Sequence, residues 1–445
     1  MRLAFNARAR ARALLFVGTS FALAAAAACA SSEDGDQPAA RPSDPVTVPT
    51  TDASPNDAGA DSETDAALPR CSAAGWCETR LPDADLVLRD IWLPPGHAFA
   101  LAESPTLGVK VLEWSDSEGV WKYIDDGTQN ELGGTYAGTI WAPSGDEVYY
   151  AAAPSYVFHG TRRAPPETGW SWSHGKLEDN SHKGEPNHGT SSDDHGRPYY
   201  DLLRANYPAL GVWGTGSDDV YAWYSNTIYH WGPGDDGTPG WTAEYIADDP
   251  DATNEHPFFV SATGSGPDDV WFGGARATPW YSCALAVHKA ADGYHRVADA
   301  VLQDNSCAER PGIPFVGDVR GWLTDLQSTG AGAILGLSGA RKVAQLSLDG
   351  DHLSASFSPV PQFTPTGSVG TSDGFSSLWR APEELWLTMW GLVVRGGAGD
   401  GGAYDVSTLS LNGAPLNTAM YRIRGTSSTN IWAIGNGYAL HKTTP

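Results

Sequence analysis

The residues best suited to chemistry lie in one long segment, residues 174–207. Imidazole and carboxylate groups together are able to hold zinc or a similar ion. The four histidines of this segment are eight, six and seven residues apart, and these spacings match no compact ligand motif. We therefore interpret the segment as a solvated loop, and we predict no metal site and no cofactor. Its ring and acidic side chains are His174, His182, His188, His195, Glu178, Asp179, Asp193, Asp194, Tyr199, Tyr200 and Tyr207.

A second set of polar side chains recurs at one position of a repeated segment. Four histidines among the seven suggest a metal ring. The repeated segment, however, is the third strand of a four-stranded unit and would lie ~10 Å outward from the first. Equivalent side chains on successive units then diverge, so we expect packing or hydrogen bonding between units instead. The set is Glu113, His159, His230, His288, Gln345, Arg395 and His441.

Acid–apolar–aromatic triplets also recur, and they indicate turns rather than catalysis. Asp and Asn stabilise tight turns through bonds from the side chain to the backbone, and a catalytic carboxylate would not need to recur. No catalytic residue is predicted. A glycoside hydrolase or lyase stays the alternative function. The triplets begin at Glu147, Asp219, Asp269, Glu384 and, with asparagine, Asn430.

These residues belong to a repeat that predicts the fold. An apolar–Trp pair or its equivalent leads each copy, at positions 92, 141, 213, 263, 327, 379 and 424. Four short strands per copy of roughly 45–50 residues are typical of a β-propeller blade. The sequence therefore predicts an all-β, seven-bladed β-propeller over residues 71–445. The last copy lacks its fourth strand, whereas Gly75-Trp76 stands alone before the first copy. We expect residues 75–81 to supply that outer strand and to close the ring.

The cysteines fit an oxidising compartment. With Cys29 set aside, four cysteines remain and allow three pairings. We favour Cys71–Cys77 and Cys283–Cys307, because local closure requires no rearrangement of blades. Free thiols are less expected outside the cytoplasm.

The N-terminus is predicted to be a targeting signal followed by a disordered linker. Four arginines precede an uncharged, alanine-rich run, so residues 1–28 are predicted to be a lipoprotein signal peptide. Small residues directly before Cys29 resemble a bacterial lipobox, which predicts lipid attachment at Cys29 and an outer-membrane-anchored protein of the bacterial envelope. An ordinary secretory peptide is the alternative. Residues 29–70 are acidic and rich in Pro, Ala, Ser and Thr, and we expect a disordered linker.

The pattern CSAAGWCETRLP, followed by repeats such as GVWGTGSDDVYAWYSNTIYHW, resembles a family of secreted bacterial propeller-repeat lipoproteins with kelch- or sialidase-like blades. The resemblance covers about residues 71–445 and implies a propeller, but it implies no activity. The fifth copy and the insertion after the second depart from the pattern.

The sequence thus favours a monomeric binding scaffold for a protein or carbohydrate, with a purely structural envelope role as a further alternative. A formal charge of -25 excludes nucleic acid as a partner. Connections between blades and between second and third strands share one face of a propeller, here called the link face. Loops on rigid scaffolds carry function, so we expect ligand contacts there from Trp280, Tyr281, Tyr199 and Tyr200.

Overall fold

The computed structural model describes residues 70–134, 136–180, 209–234, 237–247, 255–278, 281–304, 306–319, 321–360, 374–397, 403–407, 409–411 and 413–444. Seven four-stranded antiparallel sheets make up a seven-bladed β-propeller, as the repeat predicts. The N-terminal segment, Cys29 and most of the linker lie outside the described residues. Within those residues, no helix is long and apolar enough to cross a membrane.

The first strand and blades 1 to 3 follow the chain. The first strand is β1 (Trp76–Thr79). Blade 1 consists of β2 (Val87–Trp92), β3 (His97–Ser104), β4 (Gly108–Ser115) and β5 (Val120–Tyr123). A short helix, α1 (Thr128–Glu131), lies in the link to the next blade. Blade 2 consists of β6 (Ala137–Ser144), β7 (Glu147–Ala152), β8 (Tyr156–Arg162) and β9 (Trp170–Lys176). Blade 3 consists of β10 (Leu210–Gly216), β11 (Asp219–Tyr224), β12 (Thr227–Pro233) and β13 (Pro239–Ile246).

Blades 4 and 5 are separated by a hairpin. Blade 4 consists of β14 (His256–Gly266), β15 (Asp269–Ala277), β16 (Ser282–Ala290) and β17 (Gly293–Ala298). The hairpin is formed by β18 (Val301–Gln303) and β19 (Ser306–Ala308). Blade 5 consists of β20 (Leu323–Gly330), β21 (Ala333–Ser338), β22 (Lys342–Asp349) and β23 (His352–Pro359).

The last two blades are separated by another short hairpin. Blade 6 consists of β24 (Ser377–Arg380), β25 (Glu384–Met389), β26 (Leu392–Gly397) and β27 (Tyr404–Ser407). The hairpin is formed by β28 (Ser410–Leu411) and β29 (Ala414–Pro415). Blade 7 takes β30 (Met420–Ser427), β31 (Asn430–Gly435) and β32 (Tyr438–Lys442) from the C-terminus.

The fourth strand of blade 7 is β1, so the predicted closure is confirmed. The sheet order is β1-β32-β31-β30, and Trp76 pairs with Lys442. Trp76 is fully buried, and its ring meets that of Trp386 in blade 6 edge-on, with centroids 6.0 Å apart. Its indole N–H donates to Ser407 Oγ at 2.8 Å. The N-terminal strand therefore seals both its own sheet and the joint with the neighbouring blade.

Both predicted disulfides are present. Cys71 and Cys77 are bonded with their Cα atoms 4.0 Å apart, and Cys283 and Cys307 with theirs 5.9 Å apart. The first bond lies beside the closing strand, since Cys77 is in β1. The second attaches the β18–β19 hairpin to β16. It thereby joins two segments of the link face that depart from the repeat, the turn before β16 and the hairpin after blade 4.

Candidate functional site

The seven innermost strands surround a central channel. Successive strand side chains alternate between faces, so each leading residue shares its face with the residue two positions earlier. The earlier position is polar in every blade but the third. These residues are Asp90, Thr139, Gly211, Ser261, Asp325, Ser377 and Arg422.

The earlier residues bond to the inner strand of the next blade. An innermost strand is the edge of its sheet and exposes backbone N–H groups. The carboxylate of Asp90 accepts the N–H of Ile140 at 3.0 Å, and Thr139 Oγ1 accepts that of Val212 at 2.8 Å. Equivalent bonds join Ser261 to Leu326, Asp325 to Leu378, and Ser377 to Ile423. Side chains thus satisfy sheet edges that would otherwise lack partners.

Most leading residues described below also contact the inner strand of the next blade. Where the leading residue is tryptophan, its ring lies over a small residue of the next blade; a β carbon added at Gly214 would stand 2.8 Å from the ring of Trp141. The same holds for Trp213 over Gly264 and for Trp379 over Gly425. Two polar leading residues bond to the backbone of the next blade instead. Thr263 accepts the N–H of Ser328, and Gln327 accepts that of Arg380, both at 2.9 Å.

Two buried ion pairs stand among these polar groups. Arg422 Nε donates to Asp90 at 3.0 Å, and Arg424 donates to Asp325. Burial alone would raise the pKa of Asp325, but the charges of Arg424 and Arg422 lower it. Asp325 also has a left-handed φ of 54°, a conformation unfavourable for a residue with a side chain. Its bonds hold the backbone in that state at a bulge of the inner strand.

A cavity of about 420 Å³ occupies the channel. Its lining comes largely from the middle of the inner strands. Four tryptophans, Trp92, Trp213, Trp223 and Trp379, form part of its wall. Two lining residues, Arg422 and Trp223, each have a buried N–H with no hydrogen-bond partner among the described residues. Unpaired buried donors are costly. Neither nitrogen is exposed to the cavity, whereas the rings and half-buried polar side chains such as Gln327 and Ser328 suit a ligand with both apolar and hydrogen-bonding groups.

The recurring acids and third-strand residues pair with one another within most blades, and some also contact the neighbouring blade as expected: Glu113 of blade 1 accepts from Arg162 of blade 2, and the His441 ring packs against Trp114. In blade 2, Glu147 accepts from the hydroxyl of Tyr149 and pairs with His159, both at 2.9 Å. The Tyr149 and His159 rings stack with centroids 4.1 Å apart. The cause is register: the third-strand residue is the direct cross-strand partner of the aromatic one. Related pairs are Asp219 with His230, Asp269 with His288, Glu384 with Arg395, Asn430 with His441 and, with the roles exchanged, His97 with Glu113.

The link face of blade 4 holds a buried cluster of charges. Arg276 is fully buried and donates to both oxygens of Asp299, each at 3.0 Å. Arg296 donates to the same carboxylate at 2.9 Å, and Glu255 lies 3.5 Å from Arg276. Glu255 also accepts the N–H of Leu302 in the hairpin at 2.7 Å. The cluster and the second disulfide together attach this hairpin rigidly to the blade.

The structure describes part of the predicted ligand-contact set. Tyr281 is half-buried, and its N–H donates to Thr278 Oγ1 at 3.3 Å in the turn between β15 and β16. Trp280, Tyr199 and Tyr200 lie outside the described residues, so their role stays a prediction. His174 belongs to β9 rather than to the insertion, and its ring packs on Tyr156 and Phe158. Among the described residues, no group of three His, Cys, Asp or Glu side chains is placed to hold a metal ion.

The charged residues of the channel were missed in the sequence, although a signal for them exists. Asp90, Asp325 and Arg422 each lie two positions before a leading residue, and the leading residues were recognised as repeat markers. Applying the two-residue period of a strand to those markers identifies the whole set.

Comparison with known proteins supports the fold and leaves the function open. No family model matches the chain, and no curated protein matches it. YCF48 from Cyanidioschyzon merolae is a similar solved structure, with a TM-score of 0.50 and 14% identity, covering 83% of this chain and 99% of that one. YCF48 bound to D1 peptide gives 0.47 and 14%, with 85% and 99% covered. The Cps50 (Swd1) β-propeller domain of Myceliophteria thermophila gives 0.48 and 8%, with 82% and 100% covered. Identities this low indicate a shared fold alone.

Proposed function

We propose that this protein is an envelope-anchored scaffold that binds a protein partner through the central channel. The observation that carries the proposal is the cavity of about 420 Å³, whose wall combines four tryptophans with polar side chains such as Gln327 and Ser328. A peptide segment offers both carbonyl oxygens and apolar side chains, which matches such a lining. The two carboxylates in the wall, Asp90 and Asp325, are each bonded to an arginine. They hold the ring together and are poorly placed for acid–base catalysis.

Cross-linking in cells tests the binding site. A photoreactive phenylalanine analogue is placed at Leu93, which lines the channel, and separately at Val406, which is 51% exposed on an outer strand. Both positions are apolar, so the two variants differ mainly in location. We expect a discrete cross-linked protein from position 93 alone. Equal cross-linking from both positions, or none from position 93, would refute channel binding.

The envelope location rests on the signal-like N-terminus, and we propose a lipid on Cys29 that anchors the chain. Labelling with an alkyne analogue of palmitate should mark the wild type, whereas Cys29→Ser should lose the label and leave the membrane fraction. A Cys29→Ser protein that stays in the membrane fraction would contradict the anchor.

A further inference from the structure

The joints between neighbouring blades are filled by large rings in a repeated arrangement. Between blades 2 and 3, the stacked Tyr149 and His159 face Trp231 and Trp241. The two tryptophans are cross-strand partners with ring centroids 5.2 Å apart. A void of only about 10 Å³ is left among these rings. At this joint the ring side chains fill nearly all the space between the two sheets.

The joint between blades 5 and 6 lacks three of these rings. Leu335 and Gln345 are cross-strand partners at the places of Tyr149 and His159. Gly396, which pairs with Tyr404, stands where blade 3 has Trp231. The leading residue of blade 5 is Gln327 rather than tryptophan. Because the sheets keep their places in the ring while the rings are missing, a groove of about 490 Å³ separates the two blades.

The wall of the groove on blade 5 consists of two cross-strand rows. One row is Ala333, Ser347 and Ser354, and the other is Leu335, Gln345 and Ser356. Each row therefore begins with an apolar residue near the channel and ends with hydroxyl or amide groups toward the outside. The backbone groups of β21 and β22 are paired within the sheet, so these two strands offer side chains to the groove, whereas β23 is the outer edge of the sheet.

Arg380 contributes the one cation of the groove lining. Its backbone N–H is bonded to Gln327 at 2.9 Å. Its guanidinium forms no hydrogen bond or ion pair with the described residues, in contrast to Arg422 and Arg424 in the channel. In a chain with a formal charge of -25, an unpaired guanidinium in a groove is a specific place for an anion.

We propose that this groove binds a saccharide that bears a carboxylate, of the uronic acid class. Hydroxyl and amide side chains both donate and accept hydrogen bonds, as sugar hydroxyls require. The planar guanidinium of Arg380 matches a carboxylate in a bidentate pair. Ala333, which is half-buried, provides apolar surface for the C–H groups of a sugar ring. An acidic peptide is the competing occupant, because its backbone could pair with the outer edge of β23, and the competition experiment below separates the two.

Binding to the full chain tests the proposal with two probes that differ in one group. Methyl glucuronide carries a carboxylate where methyl glucoside carries a hydroxymethyl group. Calorimetry or ligand-observed NMR should show saturable binding of the glucuronide and binding at least about tenfold weaker for the glucoside. Arg380→Gln should weaken glucuronide binding by about tenfold or more, as expected for a lost charge-assisted pair. Arg163→Gln, which removes a surface cation elsewhere, should bind like the wild type.

A second variant fills the groove. Ala333→Glu, Leu335→Trp and Gln345→His together restore the arrangement of the other blades and should abolish binding while keeping the circular dichroism of a folded chain. Unchanged binding by Arg380→Gln would overturn the proposal. Equal competition by N-acetylglutamate amide would replace the saccharide with an acidic peptide and would also overturn it. The outcome is independent of cross-linking at Leu93, since the channel and the groove have different linings.

Discussion

Replacing His230 by glutamine should destabilise the protein in a pH-dependent way. His230 lies 3.1 Å from Asp219 and 3.3 Å from Glu244. Hydrogen bonds first to Asp219 and then to Glu244 raise the pKa of His230 to about 9. Burial alone would raise the pKa of Asp219, but the bonds from His230, Thr215 and Tyr221 lower it to about 2. The folded state therefore favours a charged imidazolium between two carboxylates.

The size of the effect follows from that shift. The pKa of His230 rises from 6.5 to about 9, and each pKa unit corresponds to about 1.36 kcal/mol. The upper limit is therefore about 3 kcal/mol. The side chain is 26% exposed, and solvent screening reduces the contribution to about 1–2 kcal/mol. Because the folded pKa is raised, this stabilisation is fully present below pH 6.5 and is lost as the pH rises through 9.

Urea unfolding of the wild type and His230→Gln at about pH 6 and about pH 9.5 measures the difference. We expect the variant to lose about 1–2 kcal/mol more at the lower pH. His441→Gln is the matched control: His441 stacks on Trp432 at 4.0 Å and bonds to the neutral Asn430, and burial lowers its pKa. Its substitution should cost no more at pH 6 than at pH 9.5, because a lowered histidine pKa gives a pH dependence of the opposite sign. Equal destabilisation of His230→Gln at both pH values would refute the reasoning, as would an NMR titration without a histidine near pH 9.

Three further predictions concern the framework. Trp76→Ala should lower stability by about 3–5 kcal/mol through the cavity left at the closing strand, measured by calorimetry; a melting temperature close to that of the wild type would argue against closure by this strand. Removing the disulfide with Cys283→Ser and Cys307→Ser should cost about 3 kcal/mol and speed amide exchange in the β18–β19 hairpin, whereas unchanged exchange would show that the charge cluster suffices. Arg422→Met should cost about 3–5 kcal/mol because it leaves the carboxylate of Asp90 buried without its cation. Adding Asp90→Asn should recover part of that loss in a double-mutant cycle, and strict additivity would contradict the pair.

Much of the framework could be predicted because it rests on local, repeated signals. Trp76 was assigned to the last blade because it stood alone before the first copy. The pairing of Cys283 with Cys307 followed from their closeness in the chain, and the structure confirms it. The partner of His159 could not be found in this way. Its carboxylate and its stacking ring come from a neighbouring strand, and only strand register decides which side chains stand opposite each other.

The sequence by itself determined the number of blades, the closing strand and both disulfides, since each depends on periodicity or on short separations along the chain. The tertiary structure decided the channel and the groove. Asp90 and Arg422 meet across 332 positions, which happens only when the first and last blades become neighbours. The degenerate fifth copy was visible as a loss of Trp and His. Its consequence, a groove of about 490 Å³, required the structure, because strand pairing within blade 5 brings most of the lining together and Arg380 of the next blade completes it.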